Sequence, residues 1–353
     1  MKHISFALAA VLFAACSPAP APSLQPPSPA VLTSTQTPAP PATDLPVETA
    51  MTGPTPTIAL QANYLMAFHA CDTGTVNDCH APQNHRVYLA QSDDGLNWSL
   101  VPGMQPYPGS VPDVVRRGNT LYIYSAGQNP LLRFHLDSSQ ADEPQQIQAK
   151  GLPFGLVDPS PIIDDDGRIV LFFLPGQQGA DPAGCSAEES SCTRTILSAV
   201  EVEGSDGQEF ELVDGPRVSF DIDPNSEIKS VSDPDIFFDG QQYVIYISHG
   251  PSISVWTSPT MDGEFQPVNS LPQGLLTLGT GGVPAGHFDA ASGLYWTYAH
   301  IDINGRTVIR LAQHADYSRR LETNDFEIIL SGDLLDLGDS VIVASPGFAL
   351  NQP

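Results

Sequence analysis

One pattern recurs along this chain and limits what it can fold into. At residues 231–250 the sequence VSDPDIFFDGQQYVIYISHG sets an apolar, β-rich run after Asp233-Pro234, a turn signal at Asp239-Gly240, and a second β-rich run at 243–248. Two such runs around an Asp-Gly pair are the signature of an antiparallel hairpin. The pattern returns behind Val111-Pro112-Asp113, Asp158-Pro159-Ser160 and Val283-Pro284-Ala285. A half copy, Ser345-Pro346-Gly347-Phe348-Ala349-Leu350, closes the sequence. The prolines stand at 112, 159, 234, 284 and 346, a spacing in the range of propeller blades.

Each full copy supplies four strands. The half copy has no partners, and the first unit, beginning at Tyr64, lacks an innermost strand. Joined, the two complete one blade and remove the open edge that a row of sheets would leave. The expected fold is therefore all-β: a five-bladed β-propeller over residues 58–353, with N- and C-terminal strands sharing one blade. Only 15% of residues are charged, against 29 glycines and 34 prolines, which suits a turn-rich β protein.

Residues 1–15 read as an export signal, with Lys2 at the head of an apolar run too short to span a bilayer. Leu12-Phe13-Ala14-Ala15-Cys16 resembles a bacterial lipoprotein signal. That likeness implies acylation of Cys16, a lipid anchor in a membrane and, with Ser17 following, the outer membrane of a bacterial cell envelope. Residues 16–57 are rich in Pro, Ala, Thr and Ser and read as a disordered spacer. The formal net charge is −26, and lysine occurs only at Lys2, Lys150 and Lys229. Such a surface repels nucleic acid but tolerates a neutral glycan or small molecule.

Strands within a blade alternate in direction, so the connections sort onto two faces. One face takes the tight turns at Arg117-Gly118-Asn119, Asp239-Gly240, Asp94-Gly95, Asp206-Gly207 and Asp262-Gly263. The other takes the long insertions, roughly 71–85, 175–194, 215–232, 269–282 and 331–344. Long connections concentrate function, so a site is expected on that face. First strands bring Asp113, Asp158, Asp233 and Asp235 to its mouth. Second strands bring His69, His249 and His300, with His287 a little deeper. Converging carboxyls and imidazoles suit acid–base chemistry or ligand binding. An Asp beside a proline also begins strands by capping turns.

At these residues the chain resembles the five-bladed β-propeller glycoside hydrolases of the arabinanase, β-xylosidase and fructosidase type. The likeness spans about residues 58–350. It rests on the Asp-Pro-x-apolar strand starts, the Asp-Gly-x-x-Tyr hairpins and the Ser-x-Asp-Gly-x-x-Trp turn at 92–98. It implies three acids on successive blades: an Asp base or nucleophile, an Asp that tunes a pKa, and a Glu acid, commonly in Glu-Gly-Pro. Asp158 and Asp233 match the Asp-Pro column, Val111 stands where the first Asp belongs, and Asp113 lies two residues on. No Glu-Gly-Pro occurs; His249-Gly250-Pro251 has no carboxyl, and Asp233 is the nearest substitute for the acid.

Two functions follow as expectations. One is a glycoside hydrolase with Asp113 as base, Asp158 as pKa modulator and Asp233 as acid. The other is a non-catalytic surface propeller that binds a glycan or a protein partner. A sialidase would need several arginines at the mouth, and Arg116 and Arg117 fall in a turn on the other face. No cofactor is implied, except that some relatives of this type hold an axial calcium, here to be bound through His300 or His287. The alternating oxygens at 221–227 lack the glycine and distant glutamate of an EF-hand loop. Cys71, Cys79, Cys185 and Cys192 allow three pairings, of which the local pairs Cys71–Cys79 and Cys185–Cys192 suit an exported chain.

Overall fold

A computed structural model describes residues 62–351 apart from 128, 153–154, 177–191, 223–227 and 229. Residues 1–61, with the signal, Cys16 and the spacer, lie outside the described residues, as does Cys185.

The described strands form five sheets. Blade I runs outward as Val341–Leu350, Tyr64–Asp72, Arg86–Ser92 and Ser99–Leu100. Blade II is Ser110–Arg117, Thr120–Ala126, Leu131–His135 and Gln140–Ala141. Blade III begins Leu156–Ile163, Ile169–Pro175, Cys192–Glu201 and Glu209–Leu212. Blade IV is Ser232–Phe238, Tyr243–Ser248, Ile253–Ser258 and Gln266–Pro267. Blade V is Gly282–Asp289, Leu294–Ile303, Arg306–His314 and Phe326–Leu330.

The ring closes as expected. Tyr64 pairs with Leu350, Ala67 with Gly347, and His69 with Ala344 in an antiparallel ladder between the two ends of the fold. Blades I, III and IV depart from four strands. Tyr107–Pro108 pairs with the start of Arg86–Ser92 in blade I, and Leu275–Thr277 pairs with the start of Ile253–Ser258 in blade IV. In blade III Gln148–Lys150 adds in parallel to the outer strand, and Val218–Ile222 pairs with the start of Cys192–Glu201.

Five apolar cores lie between neighbouring blades rather than at one centre. Each sheet is therefore covered on both faces, and its inner strands carry continuous apolar runs instead of alternating ones. Tyr64–Asp72, for example, is buried at seven successive positions. The Asp-Gly turns help to join blades. Tyr298 donates its hydroxyl proton to the Gly95 carbonyl at 3.2 Å, and Tyr124 does the same to Gly207 at 3.0 Å. A Cβ on Gly95 would fall 2.2 Å from the Trp296 ring. The Ser-x-Asp-Gly-x-x-Trp turn is thus a structural rivet. Within it Asp94 accepts the Leu96 and Asn97 amides, and Trp98 donates to Gly95.

Candidate functional site on the propeller axis

Every inner strand starts with the same irregularity. The register slips between Ser110 and Asp113, Val157 and Ser160, Ser232 and Pro234, and Gly282 and Pro284. In blade I it slips opposite the Ala67–His69 step. At each slip one residue has positive φ: Val111 (47°), Asp158 (50°), Asp233 (44°), Val283 (44°) and Ser345 (54°). A bulge bends a strand and re-aims a side chain. Each of these residues precedes a proline. A proline is tolerated there because the inner edge of the sheet has no further strand to receive an amide proton.

The result is a ring of five residues around the axis, with their prolines and Asp113, enclosing a cavity of about 20 Å³. That space admits about one water. Asp158 and Asp233 are the two acids of this ring, on adjacent blades. Asp158 Oδ2 accepts the Asp233 amide at 3.3 Å, and burial pushes the Asp233 carboxyl up to about 6.

Asp113 and Asp235 stand one layer further along, with Ser160 at the equivalent place in blade III. These side chains reach to the next blade. Ser160 Oγ accepts the Ile236 amide at 3.1 Å, and Asp235 Oδ2 accepts the Gly286 amide at 2.7 Å. Asp113 accepts its neighbour Val114 at 2.7 Å and hydrogen-bonds to Ser160. Burial raises Asp113 to about 7 against the pull of those bonds. Asp235 is raised well above the usual carboxylate range by burial and then by Asp113.

The histidines divide. His69 Nδ1 accepts the Val111 amide and His300 Nδ1 accepts the Ser345 amide, both at 3.1 Å. Burial lowers His300 to about 4 and takes His69 well below the usual imidazole range, helped there by His85 and His300. His249 turns off the axis: its Nδ1 bonds the Ser230 carbonyl at 2.7 Å, its Nε2 bonds Ser254 at 2.8 Å, and its ring packs on Phe220. His287 sits near the tight-turn face, against Phe348 and Trp296, with burial lowering it to about 4. The mouth therefore gathers Asp158, Asp233, His69 and His300; Asp113 and Asp235 lie a layer in, and His249 and His287 lie elsewhere.

Three residues of this region escape a reading of the sequence. Ser248 accepts the Val283 amide at 3.1 Å and so does for blade V what the two histidines do for theirs. Ser160 is the second. The third, His85, stacks on His69 at 4.0 Å and bonds Ser110 at 2.7 Å. Ser248 could have been found by counting along its strand to the place His69 and His300 occupy.

Calcium does not fit the axial histidines. Each Nδ1 lone pair is taken by an amide, calcium prefers oxygen ligands, and among the described residues no three His, Cys, Asp or Glu side chains are placed to hold a metal. Of the two arginines considered for a sialidase, Arg117 pairs with Glu201 and Asp206 of blade III, and Arg116 bonds the Gly118 carbonyl and Asn351. Cys71 and Cys79 form a disulfide; Cys192 is also disulfide-bonded.

No protein-family model and no curated protein matches the chain. Solved structures do. A GH43_1 enzyme from Xanthomonas citri complexed with xylose aligns at 18% identity and a TM-score of 0.47, over 71% of this chain and 82% of that one. The RS223 β-xylosidase aligns at 15% and 0.46, over 71% and 87%. A GH43_12 protein from a capybara gut metagenome aligns at 11% and 0.46, over 81% and 65%. All three alignments have TM-scores below 0.5, and the five-bladed architecture of this chain rests on its own sheets.

Proposed function

We propose that this protein is a carbohydrate-directed surface propeller that binds a glycan at its insertion-bearing face without hydrolysing it. The observation that carries the reading is at Val111. The mouth ring holds an apolar side chain where a third acid would be needed, and the nearest further carboxyl, Asp113, borders the same cavity but is committed to Ser160 and Val114. Asp233, on the same ring, is the carboxyl offered to sugar hydroxyls. The strand-start and hairpin motifs shared with glycoside-directed propellers support the substrate class. Acylation at Cys16, tethering residues 58–353 through the spacer at 16–57 to a bacterial envelope membrane, is part of the same proposal.

A second reading, hydrolysis by the pair Asp158 and Asp233, is favoured by the raised pKa of Asp233. A carboxyl that keeps its proton to about pH 6 is in the state a general acid needs. One experiment separates the two. The full chain is incubated with a panel of aryl glycosides and probed on a glycan array, beside Asp233→Asn. Binding without turnover, weakened in the variant, supports the first reading. Turnover that Asp233→Asn abolishes establishes the second, and neither binding nor turnover removes both. Incorporation of an alkyne fatty acid, lost in Cys16→Ala, tests the anchor.

A further inference from the structure

The axis has a second end. On the tight-turn face, beyond the layer of Asp113 and Asp235, a cavity of about 640 Å³ opens between the tips of the inner strands. That is the size of small-molecule sites. Asp113 and Asp235 line it together with Phe237, His287 and Phe348, and Phe238, 49% exposed, stands at its rim. The tight turns suggested no site here, and the proline ring, with room for about one water, separates it from the glycan face.

The two acids are placed in an unusual way. Asp235 is only 6% exposed. Its Oδ2 accepts the Gly286 amide, and among the described residues its Oδ1 has no hydrogen-bond partner. Asp113 is close enough to act on it electrostatically. Among the described residues neither acid has a basic partner. Arg116, the guanidinium on the cavity wall, is turned to the Gly118 carbonyl at 2.7 Å and to Asn351 at 3.0 Å. Two carboxyls at this depth without a basic partner are costly to ionise, and a cation that enters offsets that cost.

We infer that this cavity binds a small organic cation, a primary ammonium group carried on an apolar body. The ammonium lies between Asp113 and Asp235, and the body packs on Phe237 and Phe348. Aromatic faces add to the attraction for the cation. A bare divalent metal gains less, because the walls offer it aromatic carbon and no third acidic, cysteine or histidine ligand among the described residues joins the two acids. A neutral sugar does nothing to offset the cost of ionising the two acids.

The test is calorimetric titration of the full chain with 2-phenylethylammonium chloride, beside 2-phenylethanol and magnesium chloride. The ammonium is expected to bind at one site at least tenfold more tightly than the alcohol, and to lose at least tenfold in Asp235→Asn. Phe238→Lys, an exposed change that sets a positive charge at the rim, is expected to weaken it severalfold, and this holds independently of how Asp235→Asn folds. Equal binding of ammonium and alcohol, binding of neither, tighter binding of magnesium, or an undiminished affinity in Phe238→Lys overturns the inference.

Discussion

The backbone amide of Ser345 donates to Nδ1 of His300 at 3.1 Å, across the junction between blades V and I. The same bond runs from Val111 to His69, from Val283 to Ser248 and, with the acceptor on the inner strand itself, from Asp233 to Asp158. At four of five junctions, then, a side chain of one blade holds the positive-φ residue of the next. The imidazoles and carboxyls that look catalytic in sequence are largely occupied in fastening the ring.

His300→Phe keeps the ring shape and removes the acceptor. The Ser345 amide is then buried without a partner, which costs roughly 1–3 kcal/mol. Urea unfolding followed by tryptophan fluorescence should show the midpoint falling with an unchanged slope. An unshifted midpoint would mean the amide finds another acceptor.

At Gly347 the last strand packs against the inner strand of blade II. A Cβ there would meet the Asp113 Cα at 2.4 Å and its Oδ1 at 2.6 Å. Backbone cannot yield as a side-chain tip can, so Gly347→Ala forces blades I and II apart. The expected loss is on the order of 3 kcal/mol, read as a lower melting temperature in calorimetry. Ala344→Gly, on the same strand but away from the contact, should cost much less.

The period, the closure and the face of the insertions are all legible in the sequence, because they rest on local chemistry. Prolines tolerate an inner edge, Asp-Gly pairs make turns, and an unpartnered half copy needs a partner. What stays hidden is depth along the axis. Asp113 and Asp158 look interchangeable, two residues apart in a shared column. Two residues along a strand keep the face but move a side chain by about 6.6 Å. That displacement sets Asp113 below Val111, bordering both the mouth cavity and the larger one beyond, and two steps more carry His287 to the other end. A single residue does the opposite: it changes the face. Ser248 therefore holds the Val283 amide, while His249 beside it points into the core between blades III and IV.

The disulfide between Cys71 and Cys79 closes a loop with a sequence separation of eight. Chain entropy alone assigns such a closure about 2.5 kcal/mol. The loop leads to His85, whose Nε2 bonds the Cys79 carbonyl at 2.9 Å and whose ring supports His69. Cys71→Ser with Cys79→Ser should therefore destabilise the protein by about that amount. Reductant should lower the wild-type melting temperature by more than that of the double variant, which keeps the disulfide of Cys192; equal shifts in both would assign the whole effect to that second disulfide.

Stability should depend on pH through two opposed sets of groups. His69, His249, His287 and His300 have folded pKa values below the ordinary 6.5, three of them at about 4. As pH falls from 6.5 towards 4 the unfolded chain takes up protons that the folded one refuses, so these groups remove stability on the acid side. Asp113 behaves in the reverse way, at about 7 folded against an ordinary 3.8. Between those values the folded chain keeps a proton that the unfolded one has lost, and stability falls as pH rises. Asp113→Asn removes the second effect and leaves the first. Relative to wild type, the variant should gain on the order of 2–4 kcal/mol between pH 4 and pH 8, read from urea midpoints at pH 4, 6 and 8. His300→Phe should gain relative to wild type in the opposite direction, from pH 6.5 down to 4. If the Asp113→Asn difference stays constant across the range, that carboxyl is ionised in the fold throughout, and burial does not hold its proton.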